Sequence, residues 1–471
     1  MKSLKEHRYD IEKIKNNIKA NRKDNRKLRF DHGSTNATRK KVTEKYHTIN
    51  ISNLNKIIEI NPNNKEITLE PGVKMFELVE ECLKFGLIPP VVPEFKEITA
   101  GGAILGGALE SSSFKFGQFG DSCIELDIID GDGNLIKTSK SKNSDLFYGI
   151  QGSYGSLGLL TLIKLKLIET KPYVKLEICT CTDLQSSLML IKEKTFSNSD
   201  FIDGIIYKNK IVVLTGTFSQ NALSSLAFSK RFDEWFYKYI DKKSNLTKNE
   251  IAYIPIKEYL FRYDRGAFWM GDYAFKILKM PLFNSRICRG VFNHYFTTKE
   301  LYSALHLSNY FQEFFIQDIY FPFDNAINYL KWNKNKLNIY PIWLCPIKAV
   351  KNPQKLSPHY IKDTLLLNIG IWGQSKVFLT DYLLINKNIE KLASQNKARK
   401  MLYSQQYYTP SDFWKIYSKK WYDNLRKKYH MTIFPDIYEK TFVSEKYNPN
   451  IFKGFLNYHK LKLKKFISNF T

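Results

Sequence analysis

Cysteine and histidine are scarce in this sequence, with six and eight residues among 471. No two cysteines form a CxxC pair, and the stretch that follows His294 does not complete an HExxH motif. We therefore expect neither a disulfide framework nor a metal site, and a reducing compartment fits the cysteine usage best.

Long hydrophobic runs are also lacking. The longest apolar stretches, such as residues 157–168, are short and interrupted by Lys164 and Lys166, whereas a membrane-spanning helix needs about 20 apolar residues. Residues 1–27 are charged throughout and have no apolar core like that of a secretory signal. These absences predict a protein without a transmembrane segment, located in the cytosol or on a cytosol-facing surface.

Acidic residues are few beside the basic ones, 46 against 72, which gives a formal net charge of +26. Such a charge either marks a surface for nucleic acid or anionic membrane, or reflects composition alone. The lysines are spread along the whole chain, and no helix-turn-helix, zinc-finger or RNP signature is present. We expect no nucleic-acid partner. The hydrophobic share of 43% indicates a folded protein.

Helix and strand patterns alternate from the start of the chain. Helices are predicted over residues 5–20, over 74–84 and near 145–148. Strands over residues 124–129 and 135–138 are predicted to form a hairpin. This mixture predicts an α+β fold.

The composition changes beyond Pro172. Glycine becomes sparse there, and aromatic residues cluster in stretches such as 259–270 and 310–323. We therefore place a domain boundary near residue 172.

Two glycine-rich segments, residues 97–113 and 152–158, are the candidate ligand-binding features. Glycine lets a backbone approach a ligand closely, and a row of exposed N–H groups can cradle a phosphate. Alternatively, the glycines of the first segment serve only the tight packing of a loop, without a ligand. Neither segment is a Rossmann or Walker motif, since the glycines of the second are spaced by three and precede a strand.

The runs ITAGGAILGGALESSSFKFGQFGD and NSDLFYGIQGSYGSLGLLTLIKLKLI resemble the FAD-binding domain of the vanillyl-alcohol oxidase and p-cresol methylhydroxylase superfamily. Within it, the sequence is most similar to the delta-24 sterol reductase branch, also called Diminuto. The likeness continues through YIPIKEYLFRYDRGAFW, IYPIWLCPIKA, MLYSQQYYTPSDFWKIY and FPDIYEK, and covers roughly residues 5–445.

This resemblance implies an FAD-binding domain of the p-cresol methylhydroxylase type, built from two α+β subdomains, and an α+β cap domain over the isoalloxazine. On this chain the FAD-binding domain would span residues 1–172 and the cap, or substrate, domain 173–400. Residues 401–445 would return to the FAD-binding domain, and 446–471 would form a basic amphipathic tail. Branch members carry a hydrophobic anchor and an opening strand before the helix at which this sequence begins.

The resemblance also implies the cofactor site. Residues carried over to the pyrophosphate loops are Gly33, Ser34, Thr35, Thr99, Ala100, Gly101, Gly102, Gly106, Gly107, Ala108, Glu110 and Ser111. Gly155, Gly158 and Leu159 would lie beside the adenosine. In covalent relatives a histidine follows the glycine of the first loop, whereas here His32 precedes Gly33. We therefore expect non-covalent FAD.

The implied reaction is reduction of a side-chain double bond in a sterol, with NADPH as the electron donor. Reduction of an isolated alkene needs an acid that delivers a proton to one of its two carbons from within hydrogen-bond reach. The candidates for this acid are Tyr407, which we prefer, and Tyr403. Glu110 is interpreted as a loop-orienting carboxylate. Arg262, Asp264 and Arg265 form either a nicotinamide phosphate site or a solvated ion-pair cluster.

Two alternative functions remain open at this stage. One is an oxidase of a sugar acid or alcohol within the same superfamily, and the other is a membrane-surface binding protein without catalysis. Residues 452–470 place apolar side chains on one helical face, which suits either packing on the protein itself or contact with an anionic membrane. For a sterol enzyme, that membrane would be one such as the endoplasmic reticulum. The oligomeric state stays open.

Overall fold

The structure is a computed structural model that describes residues 2–22, 26–33, 37–39, 45–245, 249–277, 281–309, 313–350, 354–374 and 382–443. Within those ranges, no helix combines the length and the apolar character needed to cross a membrane. Helices and strands are mixed along the chain, which confirms the α+β class.

The strands are given in chain order. They are β1 (Leu28–Asp31), β2 (His47–Asn50), β3 (Ile57–Asn61), β4 (Glu66–Leu69), β5 (Leu87–Ile88), β6 (Cys123–Ile129), β7 (Leu135–Ser139), β8 (Leu159–Lys166), β9 (Ile168–Glu169), β10 (Tyr173–Cys181), β11 (Phe201–Ile206), β12 (Ile211–Ser219), β13 (Asn249–Pro255), β14 (Phe315–Pro322), β15 (Ile342–Lys348), β16 (Leu365–Gly373) and β17 (Arg399–Lys400).

The α-helices follow the same convention. They are α1 (Leu4–Asn21), α2 (Met75–Leu83), α3 (Ala100–Gly106), α4 (Ser113–Phe116), α5 (Ser144–Gly149), α6 (Leu184–Lys194), α7 (Phe236–Lys243), α8 (Ile256–Leu260), α9 (Met270–Ile277), α10 (Arg286–Val291), α11 (Thr298–Ser308), α12 (Ala326–Trp332), α13 (Tyr382–Gln395), α14 (Pro410–Ile416), α15 (Lys419–Lys428) and α16 (Ile437–Thr441).

A five-stranded antiparallel sheet forms the first half of the molecule, in the order β3-β4-β8-β6-β7. The predicted hairpin is its β6–β7 edge. Helix α1 begins at a capping box, in which Ser3 and Glu6 satisfy each other's backbone N–H groups. Its buried face carries Ile11, Ile14 and Ile18 at helical spacing. Beside the sheet, β1 and β2 form a parallel pair.

An eight-stranded sheet forms the second half, in the order β13-β10-β12-β11-β15-β16-β14-β17. Its neighbouring strands pair antiparallel. Strand β14 is buried along its whole length, so any charged side chain on it must be compensated inside the protein.

The chain after β17 packs back onto the first sheet. Arg426 of α15 donates to the backbone oxygens of Ser156 and Phe434, and the rings of Phe434 and Phe30 lie 5.2 Å apart. The Tyr429 hydroxyl donates to a carboxylate oxygen of Asp145. The carboxyl-terminal segment therefore helps to enclose the space between the two sheets.

Candidate cofactor site

A cavity of about 700 Å³ lies between the two sheets. This volume falls within the range of cofactor and ligand sites. Its walls come from β1, α3, the segment before β8, the inner strands of the eight-stranded sheet, and the carboxyl-terminal segment.

The first glycine-rich segment, expected to be a loop, contains the helix α3. Thr99 caps this helix, since its hydroxyl accepts the backbone N–H of Gly102, and Gly107 ends it with a φ of 71°. The three glycines within it, Gly101, Gly102 and Gly106, disfavour a helix by about 1 kcal/mol each. Tertiary packing overrides that preference here. Gly101 packs so closely against Pro71 that a Cβ on it would lie 2.6 Å from the Cβ of Pro71, so that only glycine fits at this position.

The two faces of α3 therefore have different roles. Gly101 packs against Pro71, whereas a Cβ on Gly102 would meet only the Thr99 hydroxyl, at 3.0 Å. Gly102 is exposed and both glycines line the cavity. The outer face of the helix leaves space for a ligand.

The second glycine-rich segment shows the same division. Gly155 and Gly158 have φ angles of 72° and 103°, which disfavour side chains. A Cβ on Gly158 would lie 2.7 Å from Ile128, while one on Gly155 would lie 3.3 Å from the Nζ atom of Lys440. Gly158 serves packing, and Gly155 brings the backbone to the cavity beside a cation.

One end of the cavity is cationic, lined by Arg29, Arg39 and Lys440. Burial lowers the pKa of Arg39 to about 10. Burial, together with Arg29, Arg39 and Arg426, lowers the pKa of Lys440 to about 7. Burial and mutual repulsion both disfavour the charged forms of these groups, so an anion bound beside them would stabilise them. We call these three lining residues the cationic end.

A second end of the cavity is acidic and aromatic. Asp318 of β14 accepts hydrogen bonds from Asn368, Trp372 and Tyr403, at 2.7, 3.2 and 2.6 Å. Burial raises the pKa of Asp318 despite these donors. Glu94 lies in the same part of the cavity wall and is also buried. We call Glu94, Asp318, Trp372 and Tyr403 the acidic end.

Comparison with known proteins identifies the domain that carries the first glycine-rich segment. A family profile described as an FAD binding domain matches residues 9–139. The human delta(24)-sterol reductase is 28% identical over 410 residues, which cover 84% of this chain and 78% of that protein. The chain is therefore similar to delta(24)-sterol reductases over most of its length. This finding confirms the resemblance inferred from the glycine segments.

The similarity extends beyond animals. The delta(24)-sterol reductase of Pisum sativum is 26% identical over 477 residues, covering 90% of this chain and 82% of that protein. Cytokinin dehydrogenase 1 of Arabidopsis thaliana is 24% identical over 210 residues, covering 40% of this chain and 36% of that protein.

The residues present fit FAD. Its pyrophosphate carries negative charge, which the like charges of the cationic end would attract, and the glycines of α3 leave the backbone open at the cavity wall. In the described ranges, no three His, Cys, Asp or Glu residues come together in a way that could hold a metal ion.

The structure brings most of the sequence-predicted residues to the cavity wall. Those that line it are Thr99, Gly101, Gly102, Gly106, Ala108, Gly155, Gly158, Leu159 and Tyr403. Those that do not are Gly33, Ala100, Gly107, Glu110, Ser111 and Tyr407. Ser34 and Thr35 lie outside the described residues.

Glu110 lies behind the cavity wall in a buried ion cluster. Its carboxylate is 2.8 Å from the guanidinium of Arg262, which is also 3.0 Å from Asp203. The expectation of a solvated cluster around Arg262, Asp264 and Arg265 is wrong, because all three are buried. Arg262 is enclosed because two carboxylates neutralise it inside the protein.

Tyr407, the preferred tyrosine, packs away from the cavity. Its hydroxyl donates to Gln405 and its backbone N–H donates to Glu390, at 3.0 Å. Tyr403 is the tyrosine of this pair that lines the cavity.

The sequence analysis missed Arg39, Lys440, Glu94 and Asp318. For the two carboxyls a signal existed, since each is a lone acid in an apolar stretch, LIPPVVPEF and FFIQDIYFPF. A charge in such a stretch is either compensated inside the protein or placed at a site. The two cations had no comparable signal among 72 basic residues.

Proposed function

We propose that the protein is an FAD-dependent oxidoreductase that reduces a sterol side-chain double bond at the expense of NADPH. The observation that supports it most is the cavity with a cationic end and an acidic, aromatic end, in a chain similar to delta(24)-sterol reductases. The cationic end suits a dinucleotide pyrophosphate, and the aromatic end suits an apolar substrate.

The proposed architecture is the two-subdomain FAD-binding domain of the p-cresol methylhydroxylase type with a cap. The gap between β9 and β10 supports a boundary near residue 172, since the eight-stranded sheet begins at Tyr173. The end of β17 at Lys400 supports the second boundary. The contacts of Arg426 support a return of the carboxyl-terminal segment to the FAD-binding domain.

Arg29, Arg39 and Lys440 would hold the pyrophosphate of FAD, and the open faces of Gly102 and Gly155 would let it approach the backbone. When bound, the flavin supplies the hydride. We propose that it is held without a covalent bond, so that acid precipitation of the protein leaves the yellow colour in solution. Colour in the pellet would contradict this.

Tyr403 has a positioning role in this proposal. Its hydroxyl proton is directed at Asp318. Burial, and after it the negative charge of Asp318, raises the pKa of Tyr403 well above its usual range. A phenol that is held neutral so strongly is a weak acid. Tyr403 therefore orders the acidic end rather than giving up its own proton.

Contact with a membrane is a further part of the proposal, because a sterol is a bilayer component. The basic tail, residues 446–471, lies outside the described residues. Within the described chain, exposed apolar side chains follow one another at Leu282, Ile287 and Val291. Flotation with anionic vesicles should weaken on truncation after Glu445 or on Ile287→Ser; unchanged flotation of both variants would contradict membrane contact through these segments.

The overall activity is tested by incubation with NADPH and a delta-24-unsaturated sterol, followed by mass spectrometry. The expected product carries two more hydrogen atoms than the substrate, in proportion to the NADPH consumed. Formation of hydrogen peroxide without reduced sterol would contradict the proposal and favour an oxidase.

A further inference from the structure

Glu94 occupies an unusual position for a carboxyl group. It is only 7% exposed and lies beside buried Val92 and Phe95 in an irregular segment of the cavity wall. In the described chain, the hydrogen bond that its carboxyl receives comes from its own backbone N–H. Ionisation of a buried carboxyl with so little support is unfavourable.

The charges around Glu94 oppose its ionisation. Burial is the largest cause that raises its pKa, and Glu110 and Asp318 raise it further. Arg262 acts in the opposite direction, but it is already paired with Glu110 and Asp203. Tyr302, from α11, also faces this carboxyl and carries no charge at neutral pH, since burial raises its pKa. Glu94 is therefore a neutral acid in a cavity wall.

The other carboxyls that line the cavity are committed elsewhere. Asp31 accepts the backbone N–H of Gly33 at 2.9 Å. Glu439 is exposed and pairs with Lys27 and Tyr46. Among the described lining residues, Glu94 is thus the protonated carboxyl whose O–H group is not already hydrogen-bonded to a neighbouring group.

Asp318 cannot serve in place of Glu94 for a geometric reason. Three donors, from Asn368, Trp372 and Tyr403, point at its two oxygens. An oxygen that accepts such bonds has no proton directed toward a substrate. Asp318 instead fixes the side chains of the acidic end.

We propose that Glu94 is the proton donor to the alkene. The assignment rests on the proposed function. In the step, the π bond of the alkene breaks; one carbon receives a hydride, with its electron pair, from the reduced cofactor. The other carbon receives the proton of Glu94, whose O–H bond breaks. The products are the saturated side chain, the oxidised cofactor and the Glu94 carboxylate, which regains a proton from water.

The test uses the FAD-loaded enzyme and separates two half-reactions. For Glu94→Gln, we expect NADPH to reduce the flavin at the wild-type rate. Reoxidation of that flavin by a delta-24 sterol, under exclusion of oxygen, should slow by at least roughly 100-fold. Glu94→Asp, which keeps the acid, should retain part of the rate. In the wild type the reoxidation rate should be constant at neutral pH and fall at alkaline pH, as the acid ionises.

Glu97→Gln is the matched control. Glu97 lies three residues further along the chain, outside the cavity wall, and pairs with Lys74 and Lys299 at 3.1 and 3.3 Å. Its replacement should leave both half-reactions unchanged. An independent readout is the infrared band of a protonated carboxyl, which should be present at neutral pH in the wild type and lost in Glu94→Gln.

The outcomes distinguish the two proposals. If a sterol reoxidises the wild-type flavin and the Glu94→Gln flavin equally fast, the assignment of Glu94 is overturned and the proposed function stands. If no delta-24 sterol reoxidises the wild-type flavin, both are overturned.

Discussion

The two ends of the cavity differ in how they treat buried charge. At the cationic end, Arg29, Arg39 and Lys440 converge, and burial together with repulsion from the arginines lowers the pKa of Lys440 to about 7. At the acidic end, Asp318 has three hydrogen-bond donors, and Arg262 neutralises two carboxylates behind the wall. The cationic end gathers like charges that a bound anion would stabilise, whereas Asp318 and Arg262 find hydrogen-bond and ion-pair partners of suitable charge within the protein.

This difference predicts which charged residues contribute to ligand binding and which contribute to the stability of the fold. Removing the charge of Arg262 should destabilise the fold, because it leaves the carboxylates of Glu110 and Asp203 buried without their common cation. Removing a charge from the cationic end should weaken the binding of an anionic ligand and leave the fold intact.

The largest effect is expected for Arg262→Met. Glu110 and Asp203 would lose their common cation, which should destabilise the protein by about 3–5 kcal/mol. The measurement is the melting temperature of the FAD-loaded protein. Lys257→Met is the control, because its surface pair with Glu80 contributes about 0–1 kcal/mol. Equal melting temperatures of the two variants would show that the cluster is not required.

Two substitutions on α3 separate packing from binding. Gly102→Leu projects into the cavity and should prevent FAD binding while the protein stays folded. Gly101→Leu would collide with Pro71 and should reduce the yield of folded protein. FAD content and circular dichroism are measured on both. Gly102→Leu protein with full FAD content would place the cofactor elsewhere.

The affinity for FAD should depend on pH through Lys440. With a pKa of about 7, Lys440 is charged below pH 7 and neutral above it, whereas an adjacent anion raises the pKa. The affinity should therefore be highest below pH 7 and fall above it, by at most about tenfold per pH unit.

The control for this dependence is Lys440→Arg, which stays charged. Lys440→Met should bind FAD more weakly at pH 6.5, without the fall at higher pH. Flavin fluorescence titrations of the apoprotein measure all three. The same decrease in wild type and Lys440→Arg would assign the dependence to another group.

The smallest effect is expected at the two tyrosines. Tyr403→Phe removes one donor from Asp318 and should slow sterol reduction by about tenfold. Tyr407→Phe, which changes a side chain that does not line the cavity, should change the rate less than twofold. Steady-state rates with NADPH and a delta-24 sterol compare them, and a larger effect of Tyr407→Phe would reverse the assignment.

Local patterns in the sequence were sufficient for the elements whose structure depends on neighbouring residues. The helix predicted over residues 5–20 is α1, Leu4–Asn21, and the predicted hairpin is β6–β7. The helix α3 was not predicted, because its glycines favour a loop until Pro71 packs against Gly101. That contact joins distant parts of the chain.

The site was predictable only in part, for a related reason. The glycine segments carry a recognisable pattern, so the wall at Gly102 and Gly155 was found. The choice between Tyr403 and Tyr407 depends on which of them reaches β14, and the burial of Arg262 depends on Asp203 from β11. Such juxtapositions arise from the packing of the two sheets, which no local pattern encodes.

The most direct test of the account is anaerobic reoxidation of the flavin, followed in a stopped-flow instrument after reduction with NADPH. We predict that a delta-24-unsaturated sterol restores the spectrum of oxidised flavin, and that the saturated sterol does not. A flavin that only oxygen reoxidises would contradict the assignment of sterol reduction.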